Sequence, residues 1–406
     1  MIQEELALPN GVKLKNRLIK AATSELLATS GGAPTDELIR LYRTWAAGSP
    51  GLMISGNAIV DERFPEGARN VLLREDNAPE LARWATAAQA TGVPLIVQIS
   101  HAGRQTPRII TKIPVAPSAV DAVKVLYSFG KPRALDSSEI DQIEQQFIDA
   151  ALLVERTGFA GVQIHAAHGY LLSQFLSPAT NLRTDKWGGD IENRARLLLN
   201  IAAGIRQRAS SKFIISVKVS STDFADRPSD GAFVMRELSR LGVDLIEVSG
   251  GTYENPALFG RDSTRKREGY FRDFAAMAKR ESSAPIMLTG GMRTPSGMSE
   301  AIREGVTDAI GFGRPIIVDP SLPARLLRGE APPFDRSFDH LPHAIRTFAV
   351  NAWHAAQLHR IGRGEPTDPN MGIFLPMLRH LGVFCWQAWT RTTAPRRLPL
   401  VATSGA

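Results

Sequence analysis

Short apolar runs alternate with stretches of helical period along most of this chain. The runs Leu18–Ala22, Gly51–Val60, Pro94–Ser100, Gly161–His165, Phe213–Val219, Leu245–Ser249, Pro285–Thr289 and Ala309–Gly313 read as strands. Between them, apolar residues recurring every three or four positions predict helices at Thr35–Ala47, Ala78–Thr91, Ser137–Thr157, Ile191–Arg206, Ala232–Leu241, Phe271–Lys279 and Pro295–Glu304. Asp190 stands where it would cap the helix that follows it. Strands this short and apolar suit a parallel sheet covered by helices. Eight such units over about 300 residues predict an α/β fold, a (β/α)8 TIM barrel. An open doubly wound sheet is the alternative, but no Gly-x-Gly-x-x-Gly follows the first strand.

The two ends depart from the alternation. Met1 to Asn16 reads as a short hairpin turning at Pro9-Asn10-Gly11. After Pro315 the pattern changes, and Ala331-Pro332-Pro333 breaks the chain. The expected division is a barrel over 1–330 and a C-terminal helical, apolar extension over 331–406, with a helix from about Leu341 to Leu358. The run Met371 to Trp389 is apolar and aromatic. It reads as a surface that packs on the barrel or on a second subunit, so a homo-oligomer formed through the extension is expected; a helix lying on a membrane surface is the alternative.

Composition narrows the class. Of 406 residues, 43% are hydrophobic and 22% charged, as in ordinary globular chains. The net charge of +7 comes from scattered basic residues without a Lys/Arg block, so no nucleic-acid partner is expected. The one cysteine, Cys385, rules out an internal disulfide and a cysteine-ligated cluster. The start, MIQEELALPNG, does not read as a secretory signal, and no apolar run approaches a membrane span. A cytoplasmic protein is expected.

The candidate chemistry gathers at strand ends. His165, His168 and Tyr170 crowd the end of the fourth strand, where barrel enzymes place their active sites. Three residues apart, the histidines would project together from a first helical turn. A zinc site would need a third ligand that His-Ala-Ala-His does not offer, so no metal is expected. Neutral imidazoles can donate to an oxyanion or carbonyl oxygen, and the phenol can deliver a proton; both histidines could equally be satisfied loop residues. Gly290-Gly291 and Gly311-Phe312-Gly313-Arg314 follow the last two strands, where barrels bind phosphate. Lys218 lies inside an apolar strand, so it needs an anionic partner or faces solvent at an irregular strand end. Gln98 closes the third strand with an amide able to read a pyrimidine edge, and Ser24 offers a hydroxyl after the first.

Together these residues resemble the Old Yellow Enzyme family of FMN-dependent NAD(P)H oxidoreductases and ene-reductases. The resemblance covers about residues 1 to 320. It rests on Leu14-Lys15-Asn16-Arg17, on Gln98 with His101-Ala-Gly-Arg104, and on Ala116-Pro117-Ser118. It continues through His165-Ala-Ala-His168-Gly-Tyr170, Gln174-Phe175-Leu176-Ser177-Pro178, Asn181-x-Arg183-Thr184-Asp185, Glu192-Asn193-Arg194 and the late glycine pairs. It implies FMN at the C-terminal mouth of the barrel, NADH or NADPH as reductant, and ping-pong hydride transfer to an electrophilic alkene conjugated to a carbonyl. His165 and His168 would hold the carbonyl oxygen and Tyr170 would protonate Cα. The flavin would be met by the loop Ala22, Thr23 and Ser24, with Ser24 near C4=O. Gly56 would lie along its edge, Gln98 at its pyrimidine, and His165 and Lys218 beside it. Gly290, Gly291, Gly313 and Arg314 would hold the phosphate. Three departures stand out. Ala22-Thr23-Ser24 replaces the family's Pro-containing turn, Leu26 stands where some relatives have a tyrosine, and Lys218 stands where many have arginine. An N-demethylase on the same flavin fold, or a flavin-binding scaffold without catalysis, are the rival expectations.

Overall fold

Strand β1 (Leu18–Lys20) pairs on one side with β2 (Leu52–Ile59) and on the other with the last barrel strand, β8 (Ala309–Phe312). The ring is completed by β3 (Leu95–Ser100), β4 (Gly161–Ala166), β5 (Ile214–Ser220), β6 (Leu245–Ser249) and β7 (Ile286–Thr289), each parallel to its neighbours. Closure of eight parallel strands leaves no free edge, which is the barrel the period predicted. A computed structural model of the chain describes residues 1–123, 128–252, 268–330, 338 and 341–382.

The helices are α1 (Asp36–Ala47), α2 (Ala78–Ala88), α3 (Ser137–Arg156), the short α4 (Leu171–Leu176), α5 (Ile191–Arg208), α6 (Pro228–Arg240), α7 (Arg272–Glu281) and α8 (Pro295–Arg303). Then come α9 (Arg314–Val318), α10 (Leu322–Leu327) and α11 (His343–Arg363). Most ends fall within a few residues of expectation, and three show why they lie where they do. α6 begins at Pro228, before the expected Ala232, because a proline is well placed in a first turn. Asp190 precedes α5, yet its side chain makes no capping hydrogen bond. α11 runs past the expected Leu358 and stops where Gly364 adopts a left-handed φ of 82°. Of the apolar run Met371 to Trp389, residues 383–389 lie outside the described residues; within it Phe374, Leu375, Leu378 and Leu381 are exposed. Among the described residues no helix is long and apolar enough to cross a membrane.

Side chains alternate between the two faces of each strand. Outward residues join the helices in one large core. Inward residues form layers. The lowest is apolar, built from Ile19, Leu52, Ile54, Ile96, Ile214, Leu245, Met287 and Ala309. The N-terminal hairpin (Leu6–Ala7 paired with Lys13–Leu14) plugs it from below with Leu6, Leu8 and Leu14. Truncating fully buried Leu14 to alanine should cost about 2–5 kcal/mol. Above this plug the inward positions become polar. Register sets Gln98 beside Gln163, Gln163 beside Ser216, and Lys218 between His165 and Glu247. All are buried. The polar layers mark the C-terminal mouth as the working end.

Candidate active site

His165 is the fifth residue of β4 and points into the barrel mouth, 3% exposed. The expected helical turn does not form. His168 instead sits in a left-handed turn, φ 59°, and α4 begins only after Tyr170. This reversal still brings the rings together. The His165 and His168 centroids lie 5.3 Å apart, and those of His165 and Tyr170 4.8 Å. Burial, then His168 and the Lys218 cation, hold His165 well below the ordinary imidazole range; burial and Lys218 do the same to His168. Both rings are therefore neutral at neutral pH. His168 Nε2 lies 3.1 Å from Ser249 Oγ, while His165 Nδ1 is buried with no hydrogen-bond partner in the protein.

Beneath the rings lies a buried ion pair. Lys218 Nζ is 2.8 Å from Glu247 Oε1. This supplies the anionic partner that an inward lysine required, and its solvent-facing alternative is excluded. Glu247 Oε2 accepts from Gln163 Nε2 at 2.9 Å, and Gln163 Oε1 accepts from Gln98 Nε2 at 2.6 Å. The chain of contacts fixes the orientation of the Gln98 amide. Neither Glu247 nor Gln163 was singled out from sequence, although the reasoning applied to Lys218 holds equally for an acid inside Leu245–Ser249.

The loop after β1 is built on a second buried carboxylate. Glu25 Oε1 accepts from Tyr42 Oη at 2.6 Å, Gly56 N at 3.2 Å, Thr23 Oγ1 at 3.3 Å and Lys20 Nζ at 3.4 Å. Lys20 also reaches Thr23 Oγ1 and the Ile54 carbonyl at 3.0 Å each, under the Trp45 ring. Burial lowers its ammonium to about 8 against the pull of Glu25. Gly56 admits no side chain: a Cβ there would meet the Thr23 carbonyl oxygen at 2.1 Å. Half-buried Ala22 packs against the apolar barrel layer. Ser24 is exposed, and its hydroxyl donates to Glu66 at 2.8 Å, a partner that sequence reasoning missed. Asn57 Nδ2 donates to the same carboxylate.

The glycines at the far side of the mouth differ from one another. Gly290 and Gly291 are left-handed, φ 126° and 78°, and the Tyr270 ring lies where a Gly291 Cβ would project. Gly313, at φ −94°, precedes Arg314 at the start of α9, and a Cβ on it would meet nothing closer than Thr23 Cγ2 at 3.9 Å. Between these loops Thr289 Oγ1 is buried without a partner.

Ser100 Oγ, His165 Nδ1 and Thr289 Oγ1, at the C-terminal ends of β3, β4 and β7, are buried polar atoms with no hydrogen-bond partner in the protein. Buried polar atoms left unpaired are costly, so such a ring implies a polar ligand. His101 is not an ionic contact: burial lowers it to about 4, and its ring stacks on Phe64 with Asp61 4.0 Å away. A planar group with hydrogen-bonding edges fits this set of polar atoms. Among the described residues no group of three His, Cys, Asp or Glu could hold a metal.

A profile of the NADH:flavin oxidoreductase / NADH oxidase family matches residues 6–331. The chain is 37% identical over 349 residues to the NADH-dependent flavin oxidoreductase iliE of Hypocrea jecorina, covering 78% of this chain and 86% of that one. It is 35% identical to an NADH oxidase of Thermoanaerobacter brockii, covering 78% of this chain but 49% of that protein. A solved 2-naphthoyl-CoA reductase complex superposes with a TM-score of 0.75 at 28% identity, covering 81% of this chain and 52% of that one. The fold is also that of morphinone reductase, with a TM-score of 0.70 at 24% identity, covering 83% of this chain and 93% of that one. Barrel, mouth and similarity define a flavin-dependent oxidoreductase. The chain belongs to the NADH:flavin oxidoreductase / NADH oxidase family, within the Old Yellow Enzyme group, whose cofactors are FMN and a reduced nicotinamide.

Proposed function

We propose that the chain reduces the activated C=C bond of α,β-unsaturated carbonyl compounds. The observation that carries this reading is the cluster of two neutral imidazoles and a phenol at the end of β4. FMN, when bound, supplies hydride drawn from NADH or NADPH. His165 and His168 donate hydrogen bonds to the carbonyl oxygen, where negative charge develops as Cβ accepts hydride. Neutral imidazoles suit that role, because each can donate without losing its own proton. Tyr170 delivers a proton to Cα. Gln98 would hold the flavin pyrimidine, Thr23, Ser24 and Gly56 would border the ring, and Lys218, paired with Glu247, would lie beside it. Gly290, Gly291, Gly313 and Arg314 hold the phosphate. The barrel comprises residues 1–330; the extension, 331–406, offers the exposed apolar face of residues 374–381 to a second copy. The supply of reduced nicotinamide favours a cytoplasmic setting.

The test is a visible spectrum of the purified protein, then anaerobic titration with NADH, NADPH and 2-cyclohexenone. Tyr170→Phe should leave flavin reduction by the nicotinamide in place while slowing reoxidation by the enone at least tenfold. Equal loss in both half-reactions contradicts the role given to Tyr170.

A further inference from the structure

The His168–Gly169 turn is left-handed at both residues, φ 59° and 76°. An L side chain rarely adopts that conformation, and it persists only where surrounding structure over-determines it. Here its peptide groups are claimed by side chains. The His168 carbonyl accepts from Gln105 Nε2 at 3.0 Å. The Gly169 carbonyl accepts from Gln174 Nε2 at 2.7 Å, and the Gly169 N–H donates to Ser173 Oγ at 3.1 Å. Gln105 comes from the loop after β3 and Gln174 from α4; they are 2% and 1% exposed. Gln174 also accepts from the Arg104 N–H and donates to the Ala102 carbonyl, both at 3.3 Å, so it ties the two loops together. The glycines match the amides: a Cβ on Gly103 would meet Gln174 Nε2 at 2.6 Å, and one on Gly169 would meet Gln105 Oε1 at 2.8 Å.

We propose that Gln105 and Gln174 are positioning residues, which hold this turn and through it aim the His168 imidazole and the Tyr170 phenol at the carbonyl site. The assignment rests on the ene-reductase reading above. The chemistry required is an N–H donor facing each turn carbonyl. A carboxylate of the same size would face an oxygen to an oxygen, and a methionine would fill the space without donating. Neither glutamine touches the flavin or the substrate in this assignment, so flavin properties should not move.

The experiment compares Gln105→Met, Gln174→Met, Gln105→Glu and Gln174→Glu with the parent and with Tyr170→Phe, all loaded with FMN. Three quantities are read: FMN occupancy with its midpoint potential, the rate of reoxidation by 2-cyclohexenone, and the Kd of a substituted phenol, whose phenolate oxygen probes the imidazole pair through the flavin absorption. The glutamine variants should keep occupancy and potential, slow reoxidation at least tenfold and weaken phenol binding at least tenfold. If Tyr170→Phe slows reoxidation while the glutamine variants match the parent, the positioning role is wrong and the ene-reductase reading stands. If Tyr170→Phe has no effect on reoxidation, the reading itself fails. Loss of FMN or of the folded state in all four glutamine variants assigns the amides to fold maintenance and overturns the proposal.

Discussion

Lys218 and Glu247 face each other across adjacent parallel strands, Nζ to Oε1 2.8 Å, with both side chains buried. Removing one member of a buried pair strands the other charge and costs about 3–5 kcal/mol. Glu247→Gln keeps the shape and can still bond Gln163, so its effect isolates the charge. The variant should melt several degrees lower and, with FMN bound, show a more positive midpoint potential. A change of about 30 mV corresponds to about 1.4 kcal/mol for a two-electron couple. Equilibration against a reference dye reads this directly; an unmoved or more negative potential would mean that the pair does not act on the flavin.

Asp223 is placed to give a pH signature of folding. It accepts a hydrogen bond from Ser173, which lowers its pKa, but burial dominates and raises the carboxyl from 3.8 to about 7. The folded state therefore keeps a proton that the unfolded chain releases. The sign follows: no penalty exists below 3.8, stability is lost as pH rises from there, and the loss levels off above 7. The full displacement caps the effect at about 4 kcal/mol, and partial exposure of the side chain reduces it. Asp223→Asn should match the parent in melting temperature near pH 4 and exceed it by a growing margin up to about pH 7. A margin that is flat with pH would refute the raised carboxyl.

How the site reads from sequence depends on which contacts are local. The strand and helix periods sufficed for the barrel, because each element buries one predictable face. His165, His168 and Tyr170 stand out because three polar rings follow one apolar strand. The partner of Lys218 was recognisable as an acid but not as Glu247, since that choice is set by register between β5 and β6. The left-handed φ of His168 has no sequence signal, because a histidine there looks like the start of a helix. Glu66 and Glu25 come from loops whose return to the mouth depends on tertiary packing.

The Ser24–Glu66 contact makes a prediction opposite to the one the family resemblance suggests. Ser24 Oγ donates to Glu66 at 2.8 Å, so its one hydrogen is committed to a carboxylate. Ser24→Ala alone should then shift the flavin midpoint potential by less than about 10 mV. Glu66→Ala removes the acceptor, so it should free the hydroxyl and move the potential positive, and adding Ser24→Ala should remove the part of that shift that the hydroxyl supplies. A large displacement in Ser24→Ala alone would place the hydroxyl on the flavin.

The proposed phosphate site can be probed through two glycines that differ in what a methyl group would meet. At Gly291 the backbone is left-handed and the Tyr270 ring lies 2.8 Å from a built Cβ, so Gly291→Ala strains the protein whether or not a ligand is bound. At Gly313 φ is −94° and the nearest atom outside its chain neighbours is 3.9 Å from a built Cβ, so no packed group stands in the way of a methyl. A loss seen only with FMN then points to a ligand that approaches the backbone. Gly313→Ala should weaken FMN binding at least tenfold, or about 1.4 kcal/mol, beyond any change in the melting temperature of the FMN-free protein. Gly291→Ala should lower the melting temperature of both forms. Fluorescence titration of the apoprotein with FMN and with riboflavin separates the causes: riboflavin, lacking the phosphate, should bind parent and Gly313→Ala alike. Equal weakening toward both flavins would move the phosphate away from Gly313 and leave the methyl group against the ring.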